Sequence, residues 1–259
     1  MTGSAGVMAL VLAETVAGAV ALLWCTPLWG EVKRGYFTLT GVILTIVAFA
    51  AWRAAAAGAI SGDSTGVWAV RLAFASAIAT LVWTTLQLLK KNPAARGVGF
   101  LSVPIAIALL VALAGSGRQQ EVLAMFELLA GAAFLGSVLD GLLLGHWYLT
   151  DRGLTRVPIN RTTMIMLVAV VVEAIAVIAG GFGGVGSSKA FNPLLTAGAL
   201  APWIALGMVG STALIAVMVK ATLRGGRASA VQSATGFFYL AVITAFTAEV
   251  AVKVRFLPR

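Results

Sequence analysis

The stretch VLAMFELLAGAAFLGSVLDGLLLGHWYL, residues 122–149, holds only two residues with a formal charge at neutral pH, Glu127 and Asp140. A helix crosses the roughly 30 Å of bilayer hydrocarbon with about 20 apolar residues, so this stretch is long enough to span. Lipid offers peptide groups no hydrogen-bond partner, which leaves a helix or a closed barrel. The run is longer than a barrel strand and lacks its alternation; a helix follows. Reading outward for runs of the same kind gives spans near 5–29, 36–60, 67–89, 98–116, 122–149, 162–182, 194–219 and 229–252. The chain is 60% hydrophobic and 10% charged, outside the range of soluble domains. The expected fold is an all-α, polytopic bundle of about eight transmembrane helices. It forms a single transmembrane domain over residues 1–259, with no soluble domain, because no hydrophilic segment is long enough to build a core.

The first run does not read as a cleaved signal: no basic residue precedes it, Glu14 interrupts it, and it exceeds a signal core in length. The fourth is short and carries Pro104 about two turns from its start, where a kink is expected rather than a break. No residue-level match relates 1–120 to 121–259, although two groups of four helices would form a parallel repeat. Small residues such as those in Ala54–Gly58 and Gly131–Ala133 predict close helix approach.

Basic residues set the expected orientation. With the N-terminus outside, the inner loops carry Lys33, Arg34, Lys90, Lys91, Arg96, Arg152, Arg156, Arg161, Lys220, Arg224 and Arg227. Outside lie Arg118 and Lys189, with Lys253, Arg255 and Arg259 on the C-terminal tail. Eleven against five places both termini on the periplasmic side of a bacterial inner membrane. Topology and anionic lipid account for the net charge of +9. The basic residues are spread over short loops without a nucleic-acid module, so the lipid bilayer and other membrane subunits are the expected partners, and nucleic acid is not. Trp24, Trp29 and Trp147 at the inner level, and Trp52 and Trp68 at the outer, are expected as interfacial anchors.

Ionisable side chains inside a membrane are costly and need partners or water. Glu14, Glu127 and Glu249 fall in the outer halves of their spans, as do Arg53 and Arg71, and mutual neutralisation of these five is expected. Asp140 and Glu173 lie deeper, with no basic residue of the spans at their depth. An unpaired carboxyl in low dielectric takes up a proton and becomes a hydrogen-bond donor, so all seven are candidates for a proton or ion pathway. A second constellation sits at the inner interface: Gly145-His146-Trp147-Tyr148-Leu149-Thr150-Asp151-Arg152, followed by Arg156 and Arg161, with Gln232 at the same level. Imidazole and aromatic rings beside guanidiniums suit contact with a quinone, pigment or lipid.

One histidine and one cysteine, Cys25, leave no haem held by two histidines and no thiolate cluster within this chain. Cys25 is expected to pack as a small apolar residue. No metalloprotease, nucleophile-elbow or nucleotide motif is present, and no catalytic activity of its own is expected. The expected function is an accessory integral subunit of a respiratory or photosynthetic electron-transfer complex, touching quinone, pigment or lipid at the inner face. The alternative is a proton-coupled secondary transporter with Asp140 and Glu173 as proton carriers.

Overall fold

A computed structural model describes residues 1–60, 63–117, 120–151, 153–182, 200–225 and 229–257. The described residues are 88% helix, with no strands among them. Among the described residues the helices are α1 (Gly3–Cys25), α2 (Leu28–Glu31), α3 (Arg34–Gly58), α4 (Ser64–Leu88), α5 (Asn92–Ala114), α6 (Glu121–Thr150), α7 (Val157–Ala179), α8 (Leu200–Leu223) and α9 (Ser229–Phe256). All but the short α2 are long and apolar enough to span, eight in total.

Local chemistry sets the boundaries. Pro27 separates α1 from α2, and Pro93 sits in the first turn of α5, where its missing N–H costs nothing. The Asp63 carboxylate caps α4 by accepting from the Thr65 N–H at 3.0 Å. Lys90, with φ +62°, closes α4 by a Schellman turn. In this turn Lys91 N–H bonds to the Leu86 carbonyl at 2.9 Å and Lys90 N–H to that of Gln87 at 3.2 Å. Helix α5 begins six residues earlier than its apolar run predicts and passes through Pro104 unbroken.

The helices fall into two groups of four with one order of packing. In the first, α1 packs on α3, α3 on α4, α4 on α5, and α5 back on α1. In the second, α6, α7, α8 and α9 close the same ring. Alternating helix direction makes α1 and α6 parallel, so the halves are arranged as the parallel repeat that no sequence match disclosed. The two first helices join the halves. Windows of α1 and α6 are 78% and 61% buried, against 33–44% for the others.

Two glycines explain how closely they approach. A Cβ at Gly18 would stand 1.7 Å from the Ala132 carbonyl oxygen, and one at Gly136 would stand 2.3 Å from the Gly18 carbonyl carbon. Each is the sixteenth residue of its helix, counting from Gly3 and Glu121. Backbone contact of this kind gains dispersion energy where lipid supplies no hydrophobic drive. Larger apolar side chains point outward instead: Ile46, Val168, Leu214 and Ile243 are exposed on the wall that faces lipid.

Both termini lie on one face, where Leu257 and Met1 pack around Gly6. At the opposite face the halves are held by surface ion pairs. Arg161 on α7 grips both Glu31 oxygens, at 2.8 and 2.9 Å, and Lys33 meets Asp151 at 3.0 Å. The Arg161 guanidinium holds the Glu31 carboxyl below its ordinary value.

The aromatic map differs from expectation most clearly at Trp24. Trp24 is buried rather than interfacial, with Phe37, Trp83 and Phe100 rings 5.4–5.5 Å away. The break at Pro27 ends α1 early and turns this indole into the first half. Cys25, expected to be packed, is exposed.

Candidate functional site

Four carboxylates converge near the face that carries the termini. Glu14 comes from α1, Glu127 from α6, Glu173 from α7 and Glu249 from α9; all are buried. At a rise of about 1.5 Å per residue, their Cα atoms lie about 9–16 Å below the helix ends on that face. Among the described residues, the ion-pair cations that meet them come from the last turn of α9. Lys253 Nζ stands 2.7 Å from Glu14 Oε1 and 3.2 Å from Glu249 Oε2, with all three side chains 0% exposed. Arg255 Nη2 is 3.5 Å from Glu127 Oε1. The Arg255 guanidinium also donates to the Val177 carbonyl, at 2.8 Å, and to the Gly181 carbonyl, tying the end of α9 to the end of α7.

Glycine makes room for these groups. A Cβ at Gly131 would lie 2.7 Å from Glu14 Oε1 and 3.0 Å from Glu249 Oε2. One at Gly180 would lie 1.9 Å from Glu127 Oε1. Glu173 feels the charges of Glu249, Lys253 and Glu14, and among the described residues neither of its oxygens has a hydrogen-bond partner. Neighbouring carboxylates repel one another when both are ionised, and a proton on either relieves the repulsion.

The partners therefore differ from those expected for the acids. Lys253 and Arg255, read as tail residues, are the buried cations among the described residues; α9 runs four residues past its apolar run to bring them in. Glu173, expected to lack a basic residue at its depth, feels the charge of Lys253, although the two form no ion pair among the described residues. Arg53 and Arg71 are exposed and lie over tryptophans instead, 5.6 Å from the Trp52 ring and 5.4 Å from the Trp68 ring. On the lipid-facing wall a guanidinium gains from a ring face and reaches toward the headgroups.

Asp140 stands apart. It is fully buried, and among the described residues neither of its oxygens accepts a hydrogen bond. Its helix α6 meets α1 and α3 of the first half, and the buried Tyr36 hydroxyl of α3, without a hydrogen-bond partner among the described residues, feels the Asp140 charge. Asp140 therefore belongs to the same seam between the halves. It lies nine residues beyond the Gly131 level of Glu14 and Glu249, about 13 Å along α6. That gap is too long for a direct proton hop.

The inner aromatic string does not form one site. Successive residues of a helix point about 100° apart, and the string fans out accordingly. His146 faces α9: its Nδ1–H donates to the Leu142 carbonyl at 2.9 Å, so Nε2 is free to accept from the Tyr239 hydroxyl at 2.5 Å. Trp147 faces the first half, packed on Gly35. The Tyr148 hydroxyl turns back to the Thr155 carbonyl. Arg156 donates to the Gly225 carbonyl at 2.5 Å and Arg161 to Glu31. Gln232 is exposed; Tyr239, two turns further along α9, is the partner that His146 meets. Arg152 lies outside the described residues.

Among the described residues no group of three or more His, Cys, Asp or Glu is arranged to hold a metal ion. No family model, curated protein or solved structure matches this chain.

Proposed function

We propose that this protein is a proton-coupled membrane carrier that loads protons on the buried acids between its two halves. The observation that carries this reading is a charge count. Leaving aside Glu127, which meets Arg255, the acids Glu14, Glu173 and Glu249 offer three negative charges to the one positive charge of Lys253 among the described residues. An uncompensated ion in low dielectric costs several kcal/mol. With every acid ionised the cluster would bury two excess charges, and protons supply the balance. The electrostatic influence of Glu249 on Glu173 makes them the pair where a proton is held and released. Asp140, farther along the seam, is the second station. The distance of about 13 Å between the levels requires the halves to move or water to enter between loading and release, as alternating access does.

The sequence-level expectation ranked an accessory subunit first. The excess of buried acids over bases supports the carrier reading instead, because protons can supply the missing charge balance. Infrared difference spectra of reconstituted protein, taken between mildly acidic and mildly alkaline pH, test the reading. A protonated-carboxyl band that changes with pH, and is lost in Glu173→Gln, is the expected result. Dye-loaded proteoliposomes offered organic cations, carboxylates and sugars in turn should then show solute-driven proton movement that Glu173→Gln and Asp140→Asn abolish. Absence of any titrating carboxyl band overturns the proposal.

A second reading has its own observation. Tyr239 is half exposed on the outer wall, with its hydroxyl bonded to His146. A phenol and imidazole facing lipid suit contact with a quinone or pigment headgroup, or with a neighbouring subunit of an electron-transfer complex. Gentle solubilisation from the native membrane, with the visible spectrum and the co-purifying chains recorded together, decides this. A coloured or larger assembly supports it; a colourless chain purifying alone refutes it.

A further inference from the structure

A cleft of about 130 Å³ opens at the end of the first four-helix group, on the face opposite the termini. Trp24, Trp29, Arg34, Gln87, Asn92 and Arg96 line it. It is remote in sequence and position from the acid cluster, and neither reading of the function uses it.

Four observations point to one ligand chemistry. First, two guanidiniums enter the cleft from different helices, and among the described residues neither forms an ion pair. The Arg96 guanidinium lies 5.0 Å over the Trp29 ring, which orients it without neutralising it. Second, α3 and α5 begin here, at Arg34 and Asn92, without a side-chain cap on either. Uncapped N–H groups and the positive end of the helix dipole favour an anion. Third, Trp24 is 1% exposed, yet its indole N–H has no acceptor among the described residues. Fourth, the carboxamide oxygen of Gln87, a residue 5% exposed, has no donor. A buried polar atom without a partner is costly, and these two supply one donor and one acceptor to whatever enters.

We infer that this cleft binds a phosphate ester bearing a free hydroxyl. Arg34 and Arg96 hold the phosphate oxygens, the Trp24 N–H donates to one of them, and the Gln87 oxygen accepts from the hydroxyl. Tryptophan and phenylalanine rings receive the apolar part. The headgroup of an anionic glycerophospholipid and a soluble glycerol phosphate share this chemistry. The Schellman turn at Lys90 builds the cleft, since it folds α5 back so that Asn92 and Arg96 stand beside Gln87.

The test compares wild type, Arg34→Gln/Arg96→Gln, and Lys220→Gln/Arg224→Gln as a control at basic positions of the second half. Each is purified in neutral detergent and titrated with phosphatidylglycerol, phosphatidylcholine or glycerol phosphate. Native mass spectrometry and thermal unfolding give the readouts. Wild type and the control should retain phosphatidylglycerol over phosphatidylcholine, and Arg34→Gln/Arg96→Gln should bind it at least about tenfold more weakly. Equal stabilisation by glycerol phosphate alone would assign the site to a soluble ligand of the same chemistry. Should the double variant not fold, Arg96→Gln and Trp24→Phe, which removes the N–H, carry the same comparison. Undiminished binding in these variants, or no preference of wild type for any phosphate ester over phosphatidylcholine, overturns the inference.

Discussion

Replacing Lys253 with methionine removes the ammonium and keeps an apolar stem of similar length. In the folded chain that ammonium contacts Glu14 at 2.7 Å and Glu249 at 3.2 Å, with no exposed surface on any of the three. Deleting one partner of a buried pair costs about 3–5 kcal/mol, because the other charge stays behind without compensation. At about 2–4 °C per kcal/mol for a chain of this size, Lys253→Met should lower Tm by about 6–20 °C. Tryptophan-fluorescence unfolding in detergent measures this. The loss should persist at high salt, since screening acts on exposed charges far more than on buried ones. Neutralising the acids as well, in Glu14→Gln/Glu249→Gln/Lys253→Met, should recover most of it, because the penalty comes from the stranded carboxylates. A Tm for Lys253→Met within about 2 °C of wild type would refute the reasoning. So would a triple variant no more stable than the single one.

Three further outcomes follow from particular contacts. Gly131→Ala puts a methyl group 2.7 Å from Glu14 Oε1 and should cost about 1–3 kcal/mol by overpacking, whereas Gly210→Ala, with nothing within 4 Å, should leave Tm unchanged or slightly higher. Glu31→Gln tests the surface clamp. Arg161 lowers the Glu31 carboxyl from its ordinary value of 4.5, so the stabilisation is complete above about pH 4.5 and lost as pH falls through the lowered value. Thermal scans should therefore show a constant small deficit for Glu31→Gln, within about 1 kcal/mol for a surface pair, that vanishes in acid. Lys90→Gly relieves a left-handed backbone position worth about 1 kcal/mol and should raise Tm by about 2–4 °C.

The eight spans were legible in the chain because the constraint that creates them is local. Each run must satisfy its own peptide groups over the thickness of the hydrocarbon, and length with composition reports that directly. Limits of local reading appear where a charge interrupts a run. A hydropathy window treats Lys253 and Arg255 as the end of a span, while the fold continues α9 through them because four carboxylates wait on α1, α6 and α7 and within α9 itself. The reverse holds for Arg53 and Arg71, whose depth matches the acids but whose side chains face outward over Trp52 and Trp68.

Depth is a property of one helix and is written in the sequence; the direction in which a side chain points is not. Alone, the chain determined that it crosses a membrane eight times and that it carries more intramembrane acid than lipid tolerates unpaired. The tertiary structure decided which cations meet those acids, that the halves pack as a parallel pair through Gly18 and Gly136, and that Trp24 floors a cleft instead of anchoring a helix. These depend on how helices rotate against one another. That rotation is set by the summed packing of small residues from distant parts of the chain, and no single run records it.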